Sequence, residues 1–243
     1  MYKRQGYPWV GYDVKTNSDH YPYIAKSSKK DGTWATETGF PVQLSTVSNA
    51  DYYNVHPCPL TGGKLYVVYI NWDGKAFGKL WDGSSFGSEE QCSQYNTELG
   101  LCKSRSYGDD VYIVYERKGT GDIYLRKRTY GTGWGSEVFV AHRTGSPYGR
   151  LTFTIVDGTV YIFVCSDDRT KISLYTYDGD SVSGESDLFS GEENVRWLYS
   201  FFNKMERYAG VHWISGSSSP YNKRFGALAF PSTALKSSSH GGI

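Results

Sequence analysis

The 243-residue sequence has almost no net charge: 26 Lys and Arg against 25 Asp and Glu leave a formal +1. That balance supplies no long-range field to draw in nucleic acid or an anionic membrane, so neither is expected as a partner. Long apolar runs are missing as well. No stretch approaches the roughly 18 residues of a membrane span, and membrane insertion is not expected. The opening MYKRQGYPWVGYDV has basic residues but no apolar core behind them, so it does not read as a signal peptide. Long aliphatics are few and charged residues make up only 21%, which argues against a helical bundle. No GxxxxGK[ST] or GxGxxG loop is present for phosphates, and no GxSxG elbow. The 4 cysteines form no CxxC pair, and the 5 histidines are scattered with no HExxH. No metal or other cofactor is therefore expected. Cys58, Cys92, Cys102 and Cys165 read as small buried residues, with Cys58–Cys102 and Cys92–Cys102 left open as alternative pairings.

What the chain does have is 22 Tyr, 7 Trp and 28 Gly, the material of short strands and tight turns. It also repeats. The segments LYVVYIN (65–71), VYIVYER (111–117), VYIFVCS (160–166) and YAGVHWI (208–214) share one apolar, β-rich character, and their starts lie 46, 49 and 48 residues apart. An earlier segment, YPWVGYD (7–13), fits the series with a longer gap. A second strand follows each of the later four: AFGKLW, IYLRKRTY, KISLYTY and RFGALAF. Turns come next, with Gly83, Gly131 and Gly179 spaced 48 apart each time. Glycine supplies the positive φ that such hairpins need, and Trp34, Phe86 and Trp134 can pack over them. A third strand follows (FPVQLS, SEEQCS, SEVFVA, ESDLFS). A leading strand precedes each apolar segment except the first (YYNVHPCP, LGLCKSRS, RLTFTIV, VRWLYSFF). Four antiparallel strands in roughly 46–50 residues read as a β-propeller blade. Five units are visible; the first lacks its leading strand and the last a clear closing strand. The expected architecture is one all-β propeller of about five four-stranded antiparallel blades over residues 1–230. It is either a closed ring or part of a larger one, with a Ser/Gly-rich tail over 231–243.

The stretches VYIVYERKGTGDIYLRKRTYGTGWGSEVFV (111–140) and GFPVQLSTVSNADYYNVHP (39–57) carry a family likeness. They resemble the repeats of sialidase-like (BNR-type) propellers and, more loosely, of the propeller lectins that bind fucose. The run from Ser28 to Trp34 comes near the sialidase box S-x-D-x-G-x-x-W but is too short in its Asp-Gly and Gly-Trp spacings. The resemblance implies a glycan or other small polar ligand and an extracellular or cell-surface location. It also implies a site where the loops entering the innermost strands meet those between second and third strands, at the mouth of the central channel.

Residues at that face include Arg150 and Arg196, in adjacent units. A guanidinium fork matches a carboxylate, and sialidases hold their sugar carboxylate with three arginines there. The alternative is that each arginine pairs with a neighbouring acid such as Glu192 or Glu193 and braces the ring. Trp72 is the best aromatic platform for a sugar ring, beside Asp73, and Glu116 lies on the same face. Trp81 and Trp213 sit inside strand patterns and read as packing residues. The resemblance would also require a tyrosine nucleophile, its glutamate, and an aspartate acid/base. Nothing in the spacing selects Glu116 or Asp73 for those roles, and a third arginine is not identified, so no complete catalytic signature is present. The leading expectation is a monomeric carbohydrate-binding propeller with one site. A sialidase-like glycoside hydrolase comes second, and a scaffold or adhesion propeller that binds a protein partner through exposed tyrosines third.

Overall fold

The computed structural model describes residues 7–49, 53–71, 74–144, 149–200 and 208–229. These hold five antiparallel sheets, one per sequence unit. The first is β1 (Trp9–Thr16), β2 (Asp19–Lys26) and β3 (Val42–Gln43). The second is β4 (Tyr53–Pro59), β5 (Leu65–Asn71), β6 (Ala76–Trp81) and β7 (Glu90–Gln91). The third is β8 (Thr97–Tyr107), β9 (Asp110–Arg117), β10 (Asp122–Thr129) and β11 (Gly133–His142). The fourth is β12 (Leu151–Val156), β13 (Thr159–Cys165), β14 (Ile172–Tyr177) and β15 (Ser186–Phe189). The fifth is β16 (Arg196–Ser200), β17 (Tyr208–Ser215) and β18 (Asn222–Ala229). Each sheet is a simple meander in which successive strands pair. The tail at 231–243 lies outside the described residues.

The two three-stranded sheets differ in what they lack. Tyr23 on β2 pairs with Gln43, as Phe77 on β6 pairs with Gln91. Leu44 N–H donates to Pro22 O, as Cys92 N–H does to Ala76 O. The first sheet therefore aligns β1, β2 and β3 with β5, β6 and β7, and has no leading strand among the described residues. The fifth sheet has its leading strand β16 and stops after β18, among the described residues.

Burial explains why the second strands are unbroken apolar runs. Leu65, Val67 and Tyr69 face the first sheet, packing with Trp9, Ile24 and Leu44. Tyr66, Val68 and Ile70 point the other way, against Val111, Ile113 and Tyr115 of the third sheet. The third and fourth sheets share a cluster with Val114, Leu125, Phe153 and Ile162, and the fourth and fifth share one with Phe163, Cys165, Val211 and Trp213. A strand buried on both faces has no polar side, so alternation disappears. Each fully buried Leu or Val stabilises the stack by about 1.5–3 kcal/mol.

Four apolar clusters thus fill four interfaces, and none joins the fifth sheet to the first among the described residues. The face of the fifth sheet turned away from the fourth carries exposed aromatic side chains. Tyr199, His212 and Phe225 lie in register across it. Tyr199 is 45% exposed and Phe225 57%. All four cysteines are buried and free.

The leading strands β4, β8, β12 and β16 contact one another in succession. Arg105 on β8 ties three of them together. Its Nε donates to Phe153 O at 2.6 Å, and its Nη2 to Ser200 O at 2.9 Å and Ser200 Oγ at 2.6 Å. The sheets share two common ends. At the turn end lie the first-to-second and third-to-fourth strand turns. There Asp109 accepts bonds from Thr61 N–H and Thr61 Oγ1, both at 2.6 Å. At the loop end lie the second-to-third connections and the starts of the leading strands.

Candidate functional site

At the loop end the structure brings Arg150 and Glu116 together. Arg150 precedes β12 and Glu116 is the penultimate residue of β9, so the stacking of the third and fourth sheets joins residues 34 apart in sequence. Arg150 Nε donates to Glu116 Oε2 at 2.7 Å, and Nη2 donates to Oε1. Both side chains are buried, at 5% and 3% exposure. Burial pushes the Glu116 carboxyl up from its ordinary value, and the Arg150 bonds and charge oppose that shift. The neighbouring acid that takes the guanidinium is Glu116, while Glu192 lies 3.7 Å from Arg224.

Arg196 is not brought to that pair. It is partly buried on β16, with Nε 3.4 Å from Asn194 Oδ1 and its guanidinium 5.4 Å from the exposed Tyr221 ring. Next to it, Trp197 is 45% exposed and held at φ +54°. The backbone of Trp197 lies against Gly149, where an added Cβ would come within 2.8 Å of Trp197 Cα. Trp72 and Asp73 lie outside the described residues. Trp81 packs with Trp9, Phe40 and Phe86 in the first interface, and Trp213 is 3% exposed.

Along the leading strands the charge is positive. Lys103 and Arg105 on β8 face His56 on β4. Burial, Lys103 and Arg105 together bring the His56 imidazole down to about 3, so it is neutral. Burial lowers Lys103 as well. No group of three or more His, Cys, Asp or Glu is placed to hold a metal among the described residues.

Two cavities open at the turn end. One, of about 570 Å³, lies between the second and third sheets and is lined by Leu80, Glu90, Arg128, Trp134 and the β10–β11 turn. Arg128 Nε and Nη2 both donate to the Glu90 carboxylate at 2.7 Å. Arg128 is 6% exposed, and its Nη1 is buried with no hydrogen-bond partner. The guanidinium stands 4.7 Å from the centre of the Tyr66 ring. Trp134 Nε1 donates to Tyr66 Oη at 3.1 Å, which fixes the indole beside the ion pair. Tyr130, 42% exposed, completes the rim. The cleft therefore brings together a partly exposed carboxylate, aromatic walls and a guanidinium whose Nη1–H lies buried without a partner. That is the equipment for gripping neighbouring hydroxyls while an apolar ring face lies on an aromatic.

The other cavity, of about 450 Å³, lies between the first and second sheets. Tyr7, Trp9, Lys26, Lys30, Lys64 and Trp81 line it. The two cavities adjoin: Lys64 of this one sits 4.2 Å above the ring of Tyr130 from the other.

The sequence reading missed these clefts, although one signal was available. Counting back from the repeated glycines Gly83, Gly131 and Gly179 places Leu80, Arg128 and Thr176 at one equivalent position. Only Arg128 is charged among the three. Among these three repeats the position is cationic in the third sheet alone, and there it is buried.

Neither the protein-family models nor the curated proteins match this chain. Solved structures do. A triple arginine-to-alanine mutant of AofleA from Arthrobotrys oligospora aligns with TM-score 0.58 at 11% identity, covering 93% of this chain and 70% of that one. SapL1 lectin, solved with alpha methyl fucoside, aligns with TM-score 0.52 at 14% identity, over 91% of this chain and 79% of its own. The NanB sialidase of Streptococcus pneumoniae aligns with TM-score 0.51 at 13% identity, over 80% of this chain and 32% of its own. At these identities the likeness is one of fold. It agrees with the resemblance drawn from the repeats, to a sialidase on one side and a fucose-binding lectin on the other.

Proposed function

We propose that the chain is a carbohydrate-binding β-propeller module whose site is the cleft between the second and third sheets. The observation that carries this reading is the Arg128–Glu90 pair beside Trp134 and Tyr130, with the arginine buried, its Nη1 unbonded, and the carboxylate partly exposed. A sugar bearing vicinal hydroxyls accepts from Nη1 and donates to Glu90, while its apolar face lies on an aromatic wall. The lectin among the fold neighbours supports the ligand class. Of the equivalent positions Leu80, Arg128 and Thr176 only Arg128 is charged, which fits one site better than a ring of equivalent sites. Arg150 and Glu116 use their charges on each other, which leaves them less to offer a ligand at the loop end. The five sheets are successive blades of a propeller; the four apolar clusters that join them in sequence order support this. The setting that suits such a module is extracellular or cell-surface.

The test is a glycan-array screen of the purified chain beside Arg128→Ala, Glu90→Gln and Trp134→Ala variants of checked folding. Removing the cationic donor should weaken binding by about 10- to 100-fold, the worth of a charged hydrogen bond of about 1.5–3 kcal/mol. Glycan binding that survives all three changes would move the site away from this cleft. An array with no binder would sink the carbohydrate reading.

A further inference from the structure

We propose that the cavity between the first and second sheets is a subsite for the anionic group, carboxylate or sulfate, of a glycan chain that also occupies the Arg128 cleft. This inference deepens the carbohydrate reading and rests on it.

The charges are the first argument. The two clefts sit at the same end of adjacent interfaces, but their linings differ in sign. In the Arg128 cleft the guanidinium is neutralised in place by Glu90. The other cavity is lined by Lys26, Lys30 and Lys64, with no acid on its wall among the described residues. Lys26 and Lys64 have acids behind them: Glu37 at 2.7 Å and Asp109 at 3.5 Å. Lys30 has none among the described residues; its ammonium rests 4.4 Å from the Tyr7 ring centre, where Lys26 also lies 5.1 Å away. Two ammonium groups over one ring repel each other, and a bound anion between them would relieve that repulsion. A lysine binds as a point charge on a flexible stem, so it accepts a sulfate as readily as a carboxylate, without the planar match that arginine imposes.

The walls are the second argument. Trp81, partly buried, lines the same cavity over the 7% exposed Trp9, with the two rings edge to face at 5.9 Å, giving a sugar ring an apolar wall next to the charges. A lone inorganic anion would have no use for them. The third argument is continuity. Lys64 on the rim of this cavity covers Tyr130 on the rim of the other. A chain of sugars crossing the edge of the second sheet would therefore touch both, with its acidic residue over the lysines.

The experiment titrates the full chain with three tetrasaccharides: neutral chitotetraose, a tetragalacturonate and a chondroitin 6-sulfate tetrasaccharide. Each titration is run at low and high salt, on the unchanged protein and on Lys30→Ala and Lys30→Ala/Lys64→Ala variants. At least one acidic chain should bind more tightly than the neutral one, with an advantage that shrinks as salt rises past the screening length of about 10 Å at 0.1 M. Each lysine removed should cost that acidic chain about two- to five-fold, the worth of a partly exposed charge. Lys30→Ala should leave neutral binding unchanged. Which acidic chain is preferred tells carboxylate from sulfate, and either preference supports the assignment. Equal binding of acidic and neutral chains, or an acidic advantage that survives the double variant, overturns it while leaving the Arg128 cleft standing. Binding of none of the three, together with an empty glycan array, overturns the carbohydrate reading itself.

Discussion

Arg150→Met should unfold this protein more readily by about 3–5 kcal/mol, the cost of stripping one partner from a buried ion pair. The figure comes from geometry. Glu116 is 2% exposed, and the two bonds from Arg150 are the stabilising interactions that offset its burial. Remove the guanidinium, and the carboxylate must either stay charged in an apolar setting or take up a proton. Both cost folding energy. In a chain of this size that amounts to a fall in melting temperature of roughly 6–20 °C. Urea titration followed by tryptophan fluorescence would give the loss directly. The double variant Arg150→Met/Glu116→Gln should recover much of it, because no buried charge is then left alone. A double-mutant cycle should return a coupling of at least about 1 kcal/mol. If Arg150→Met costs less than about 1 kcal/mol and instead abolishes glycan binding, the arginine is a ligand contact and the bracing argument is wrong.

His56 makes stability depend on pH. Its folded-state pKa of about 3 lies below the ordinary value of about 6.5. Between those values the unfolded chain holds the proton and the folded chain does not, so stability falls as pH drops through that window, by up to about 1.4 kcal/mol per unit. Urea midpoints at several pH values should show a shallower fall for His56→Gln, and parallel curves would remove the histidine from the account. Gly78→Ala should cost about 1–3 kcal/mol by overpacking. Its Cβ would lie 2.4 Å from the fully buried Tyr66 ring and 2.8 Å from Val67 O, and a thermal melt unchanged from wild type would contradict that crowding.

The strands and turns were legible in the sequence because they rest on local rules. Apolar runs at intervals of 46–49 residues and glycines 48 apart announce strand, turn and repeat without any knowledge of what packs on what. Trp213 announced its burial, and Trp81 its packing between sheets, by lying inside strand patterns. Trp197 did not announce its exposure: it also lies in a strand, but on a bulged stretch at positive φ that a pattern of residue types does not show.

Which charges meet could not be read this way. Arg150 could have served a ligand or a neighbour, and the acid that takes it, Glu116, stood in the sequence as another site candidate. Arg128 and Glu90 are 38 residues apart and belong to different sheets. Lys26 and Lys64 are equally far apart and share a cavity. A strand's own sequence determines which side chains point to which face. It does not set the offset at which one sheet lies on the next, because that depends on the summed shapes of both faces, as in the packing of Tyr66, Cys92 and Trp134 around the Arg128 pair. The repeat, the strands and their two-sided burial therefore belong to the sequence. The two clefts, and the choice of which cation faces which acid, belong to the stacking.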